Sequence, residues 1–266
     1  TAAGLASFGG KAAFIGRTAS DEFGRIFRHD IKAAGVAFQS ESVSGRAPTS
    51  RSLILVTPDG ERTMNTFLGI STELDQGEVR EDMIAGSAVC YLEGYLFDRP
   101  EAKAAFRQAA AVAKKAGRQV ALTLSDGFCV DRHRDEFLAL IRSGIDILFA
   151  NESEITALYE TTFDDAAVQA ARDTRLVALT RSAKGSVIFS EGRSVAVPAE
   201  PVAKVVDATG AGDLYAAGFL YGLTNGAPLE VAGRLGSLAA SEIISHIGAR
   251  PEVRLDKLAR EKGILK

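Results

Sequence analysis

Residues 205–223 read VVDATGAGDLYAAGFLYGL. A short apolar run enters a bend built from Gly210, Ala211 and Gly212. A carboxylate, Asp213, closes the bend, and a segment rich in alanine and glycine leaves it. Apolar run, glycine bend and helix in that order mark the carboxyl end of a strand in an open α/β sheet, where such proteins bind ligands. The glycines let backbone N–H groups converge with no Cβ in the way. The first helical turn adds unpaired N–H groups and the positive end of its dipole. The bend therefore predicts an anion site, most naturally for a phosphate. A bare phosphate cradle has no use for a carboxylate. An unperturbed aspartate has a pKa of about 3.9, and a helix N-terminus favours its anion, so Asp213 is expected to be ionised at neutral pH. It can then accept a proton from an alcohol while the amides hold developing negative charge, which suits phosphoryl transfer. Asp213 as a plain helix cap is the competing reading, and spacing alone leaves both open.

Outward from the bend, short runs rich in β-branched or aromatic residues alternate with helix-length segments. The runs fall at 12–16, 52–57, 88–94, 119–124, 146–151, 176–180, 186–190 and 194–198. Helices are expected at 21–34, 99–117, 131–143, 151–159, 164–173, 212–223 and 228–246. The segment 99–117 is the clearest, with proline near its start, lysines in its last turn and glycine at its end. Such alternation predicts an α/β protein, a mostly parallel central sheet with helices on both faces. Residues 36–67 break the rhythm. Two alternating runs flank TPDGER (57–62), whose Asp59-Gly60 pair is a hairpin signal, so this region is expected to form a small β flap. Everything else reads as one domain over 1–266.

Composition narrows the class. The 266 residues carry a formal net charge of −3, with 46% hydrophobic and 24% charged residues. No basic excess points to nucleic acid, and no apolar run approaches the ~18 residues of a membrane span. Cys90 and Cys129 form no C-x-x-C pair and read as reduced thiols of a cytoplasmic protein. His29, His133 and His246 show no zinc spacing. GAGDLY lacks the third glycine of a dinucleotide fingerprint. GLASFGGKAA imitates a P-loop with its glycine spacing off by one, and Ala12 follows Lys11 where a magnesium-binding hydroxyl belongs, so helix followed by turn is expected there.

DATGAGDLYAAGF (207–219) resembles the D-T-x-G-A-G-D signature of the ribokinase (PfkB) family of sugar and nucleoside kinases, departing from it at Ala208. The resemblance implies a three-layer α/β/α fold with a small β lid and makes Asp213 the catalytic base, with Asp207 and Thr209 in the cofactor-binding set. NESE (151–154) resembles the family's N-x-x-E, which organises magnesium and its waters, so Asn151 and Glu154 inherit that role. Asn151 as an N-cap with Glu154 at the capping-box position is equally sound physically, and both can hold at once. LTRSAKGS (179–186) resembles the nucleotide loop T-x-G-x-x-G through Thr180 and Gly185, with Ser182 where glycine is usual. Ser237, Ala240 and Ser241 match nucleotide contacts on the C-terminal helix. The family's first glycine signature would lie ahead of Thr1, so the opening strands and their acceptor-binding groups are expected to fall outside this sequence.

Within the family, residues 123–154 and 51–69 look most like adenosine kinase. Phe128 falls where that enzyme stacks a ring on the purine, and Arg62 on the flap is a candidate charge stabiliser. Stacking contributes about 1–3 kcal/mol, enough to favour a nucleoside over a bare sugar. The resemblance thus implies an ATP- and Mg2+-dependent kinase acting on a primary hydroxyl of a nucleoside. A sugar kinase of ribose, fructose or 2-keto-3-deoxygluconate type is the alternative, and a non-catalytic nucleotide sensor a second. It also implies a K+ ion near the strand carrying Asp207, a small-molecule substrate, and a monomer or lid-mediated homodimer.

Overall fold

The computed structural model describes residues 1–266. The chain divides into two compact units, Thr72–Ala196 and the pair of segments Thr1–Ser71 and Val197–Lys266.

The first unit is organised by a six-stranded sheet. In space its strands run Arg193–Val197, Ser186–Ser190, Leu176–Thr180, Ile147–Asn151, Gln119–Thr123, Val89–Glu93. The last four pair in parallel, and Leu176–Thr180 pairs antiparallel with Ser186–Ser190. Consecutive residues such as Ile147, Leu148, Phe149 and Ala150 are all buried, as strands covered on both faces require. The helices Pro100–Lys115, Gly127–Gly144, Glu152–Tyr159 and Phe163–Asp173 supply the crossovers. In Pro100–Lys115 the buried residues Ala102, Ala105, Phe106, Ala109 and Ala113 recur at helical spacing, and Lys114 and Lys115 complement the dipole at its end. The Glu191-Gly192 loop before the last strand has φ of 52° and 73°, the left-handed geometry of a tight hairpin.

In the second unit, helices Ala211–Thr224 and Leu229–Ile243 cross closely. A Cβ at Gly218 would sit 2.3 Å from the Leu235 carbonyl oxygen, and one at Gly222 2.7 Å from the Ala232 Cα. The glycines of the alanine-rich segment are what allow that approach. Phe8, Leu214, Leu235, Leu238, Ile243 and Leu255 form the core beside the two helices. The flap is an antiparallel hairpin, Arg51–Val56 with Arg62–Phe67, in register Arg51↔Phe67 to Val56↔Arg62. Its turn is closed by the Gly60 amide on the Thr57 carbonyl at 2.9 Å, with Gly60 at φ 83°.

Several boundaries differ from expectation. The strand expected at 12–16 is reduced to Ala12–Ala13, paired with Val36–Ala37. The helix expected at 131–143 begins at Gly127, because the Asp126 carboxylate caps it through the Phe128 amide at 2.7 Å, and it is kinked at His133. The helix expected at 228–246 stops at Ile243. Helices Glu81–Ala85 and Leu255–Glu261 were not anticipated. No helix is long and apolar enough to cross a membrane.

Candidate active site

The glycine bend leads into Ala211–Thr224 as the sequence predicts, but the apolar run before it, Val205 and Val206, forms no strand of the sheet, and the Val206 amide donates to the Ile244 carbonyl at 2.8 Å instead. Asp207 is buried, and its two carboxylate oxygens accept the amides of Thr209 at 2.9 Å and Gly248 at 3.1 Å. Burial alone would raise its pKa. The hydrogen bonds from Thr209 and Gly248 and the charge of Arg62 outweigh it, holding the carboxyl below its ordinary range. Gly210 then takes φ 84°, a conformation that L side chains resist, and caps Ala211–Thr224 without a side-chain acceptor. The amides of Gly210, Gly212 and Asp213 donate to no acceptor in the protein, while the Ala211 amide reaches the Ala208 carbonyl at 3.3 Å. Asp213 projects from the first turn with 49% of its side chain exposed. Its Oδ1 accepts the Thr1 hydroxyl. An accessible carboxylate among amides with open valence is the geometry a proton acceptor for an alcohol needs.

The hairpin turn docks on this bend. The Ala208 amide donates to the Gly60 carbonyl at 3.2 Å, and a Cβ on Gly60 would lie 2.8 Å from a Val205 methyl. Arg62, two residues on, extends into solvent, with its charge felt at Asp207. Of the helix residues, Ser237 is buried, while Ala240 and Ser241 are half-buried and the Ser241 hydroxyl is spent on the Leu238 carbonyl at 2.8 Å.

In the sheet unit, Asn151 and Glu154 form a reciprocal capping box at the start of Glu152–Tyr159. The Asn151 Oδ1 accepts the Glu154 amide at 2.8 Å. In return the Asn151 amide and Nδ2 donate to the two Glu154 oxygens at 3.0 and 2.7 Å. Glu154 is buried, which pushes its carboxyl up to about 7 despite the Asn151 amide, and Asp126 adds to the rise. With both oxygens engaged, Glu154 fits a magnesium ion held through water better than one ligated directly, and no cluster of three carboxylate, His or Cys groups surrounds it. Beside this box, Asn151, Glu152, Ser153, Thr156, Thr180 and Ser182 line a cavity of about 370 Å³. Arg181 is pinned outside the lining by a bidentate pair with Glu152 at 2.9 and 3.2 Å and by the Phe163 ring, 3.9 Å away. Gly185, at φ 84°, ends the turn that follows Thr180. Phe128 stands at the start of its helix with 75% of its surface exposed and stacks on no ring.

The sequence reading passed over Glu93 and Ser125. These sit at the carboxyl ends of adjacent parallel strands, where the Ser125 hydroxyl donates to Glu93 and accepts the Gly94 amide at 2.9 Å. Ser125 holds φ 68° to do so. A serine directly after a strand was the one available signal.

An α/β protein whose exposed aspartate opens a helix beside unpaired amides belongs to the class of phosphotransferases with an alcohol acceptor. Residues 1–254 match the pfkB family of carbohydrate kinases, and the chain belongs to that family. Its fold is the ribokinase-like α/β fold of solved structures that it resembles. One, described as adenosine kinase from Sinorhizobium meliloti, is 54% identical with a TM-score of 0.96, over 98% of this chain and 80% of that one. A probable sugar kinase protein from Rhizobium etli CFN 42 is 48% identical with a TM-score of 0.97, over 99% and 81%. An ATP-dependent ribose-1-phosphate kinase of Halopiger xanaduensis is 31% identical over 97% of this chain and 82% of its own.

Proposed function

We propose that this kinase transfers the γ-phosphate of ATP to a primary hydroxyl of a nucleoside of adenosine type. Asp213 takes the hydroxyl proton as the oxygen attacks, and the Gly210 and Gly212 amides, with the weakly engaged Ala211 amide, receive the charge on the migrating phosphoryl group. The observation that carries this reading is the accessible Asp213 carboxylate at the head of a helix whose first amides lack acceptors. Thr180 and Gly185 take the nucleotide phosphates, with Ser237, Ala240 and Ser241 on the base side. Asn151 and Glu154 hold the waters of a magnesium ion, which when bound neutralises phosphate charge. Arg62, exposed on the flap strand that follows the turn, lends positive charge. Phe128, exposed and unstacked, is free to lie on a purine.

Two considerations favour a nucleoside: that exposed ring, and the 54% identity to a protein described as an adenosine kinase. A sugar or sugar phosphate is the second reading, favoured by relatives described as a sugar kinase and a ribose-1-phosphate kinase. ATP consumption measured against adenosine, ribose, fructose, ribose 1-phosphate and 2-keto-3-deoxygluconate separates them. Adenosine is expected to give the highest kcat/KM. A sugar preferred over adenosine by tenfold or more would replace the nucleoside reading, and no ATP consumption with any acceptor would remove the assignment of these substrates.

A further inference from the structure

The last turn of helix Leu229–Ile243 carries a carboxyl group that the proposed chemistry does not use. Only 7% of the Glu242 side chain is exposed. One of its oxygens, Oε1, accepts three donors: the His246 ring Nε2 at 3.2 Å and the backbone amides of Glu252 at 2.9 Å and Val253 at 3.3 Å. The other, Oε2, is buried and has no partner in the protein. His246 is itself mostly buried, and its Nδ1 lies 3.7 Å from the Glu252 carboxylate. A buried carboxyl with an empty oxygen opposes folding, so it persists where its bonds serve something else.

The three donors show what they serve. Residues 244–253 leave the end of the helix, and Glu242 fastens this segment near its start through His246 and at its far end through Glu252 and Val253. Between the two fastenings the segment holds the glycine bend. The Ile244 carbonyl accepts the Val206 amide at 2.8 Å and the Asp207 amide at 3.4 Å. The Gly248 amide, at a φ of 111° that suits glycine, donates to the Asp207 carboxylate at 3.1 Å. Ala249 packs so near Gly210 that a Cβ on the glycine would lie 3.5 Å from the alanine's. The Ser7 hydroxyl adds a bond to the Val253 carbonyl at 3.2 Å, but the Glu252 and Val253 amides rest on Glu242 alone.

We propose that Glu242 is a positioning residue for phosphoryl transfer: its grip on residues 246, 252 and 253 holds the 244–249 segment in the shape that sets Asp207 and, through it, the Gly210 and Gly212 amides. This rests on the reading of the bend as the anion hole and of Asp213 as the base. Glu242→Ala releases both backbone amides and His246. Glu242→Asp keeps the charge but draws the carboxyl back by one methylene, so it cannot hold both ends of the segment. Single-turnover and steady-state kinetics of wild type, both variants and Asp213→Asn, normalised to folded protein by circular dichroism, supply the test. Displaced amides lose charge that develops only in the transition state, so kcat is expected to fall about 10- to 100-fold in Glu242→Ala and about 3- to 10-fold in Glu242→Asp, with KM for ATP and for the acceptor moving by less than about threefold. Asp207→Asn is also expected to slow Glu242→Ala by less than it slows wild type, because both changes disturb one bend. A residue that only supports the fold would lower stability and leave kcat per folded molecule unchanged. Should Glu242→Ala fail to fold, Glu242→Asp decides. Wild-type kcat in the folded variants, or losses that simply multiply when combined with Asp207→Asn, overturns the proposal. Wild-type turnover in Asp213→Asn overturns instead the base reading beneath it.

Discussion

Glu154→Gln tests whether the capping box stores electrostatic strain. The Glu154 carboxyl is lifted from 4.5 to about 7, first by burial and then by Asp126, so the folded chain holds this proton more tightly than the unfolded one. Between those two values the native state binds more protons than the unfolded state, and stability therefore falls as pH rises through the window. At 1.36 kcal/mol per pKa unit, the loss amounts to about 3 kcal/mol, complete above the folded pKa and absent below the unfolded one. Glutamine does not titrate. It also brings an amide against Asn151, whose amide and Nδ2 both donate to the present carboxylate, so one hydrogen bond is lost at every pH. That loss offsets the stability of Glu154→Gln by about 1–3 kcal/mol throughout. The variant is thus expected to be less stable than wild type at pH 5 and to match or exceed it by pH 8, a relative gain of about 2–3 kcal/mol. Urea unfolding of both proteins from pH 5 to 8.5 reads this directly, since titrating groups that do not interact with Glu154 cancel in the difference. A stability difference that stays constant with pH, or that grows in favour of wild type, would refute the reasoning.

Two further predictions concern packing and the acceptor. Gly218→Ala would gain about 1 kcal/mol in an open helix but here meets the Leu235 carbonyl oxygen at 2.3 Å, so a net loss of about 1–3 kcal/mol in urea unfolding is expected, and a gain would contradict the close crossing. Phe128→Ala is expected to raise KM for adenosine by roughly 5- to 150-fold, as loss of about 1–3 kcal/mol of stacking predicts, without moving KM for ATP. An unchanged adenosine KM would remove Phe128 from the acceptor site.

The sheet was legible because its strands are continuous apolar runs set between helical periods, and a strand buried on both faces cannot be written any other way. Asp59-Gly60 likewise announced the hairpin, since its turn demands a left-handed residue that Gly60 supplies. What escaped was carried by side chains rather than by pattern. The helix that starts at Gly127 does so through a cap from Asp126, in a Ser-Asp-Gly run that otherwise reads as loop. The Glu93–Ser125 pair closes across 32 residues, and the Thr1 hydroxyl meets Asp213 across 212, separations that no local periodicity encodes. Ser182 was visible as a departure from glycine, but its left-handed backbone and open hydroxyl became apparent only in three dimensions. For Asn151 and Glu154 the reciprocal cap is realised in the structure, and the same two residues remain the proposed organisers of hydrated magnesium.

Asp213→Asn, assayed for ATP affinity and for single-turnover phosphate transfer to the preferred acceptor, bears most directly on the central chemistry. Asparagine preserves the shape of the side chain while removing its basicity, so ATP should bind as it does to wild type while transfer slows by at least ~100-fold. Transfer at a rate close to wild type would show that the proton leaves the acceptor by another route.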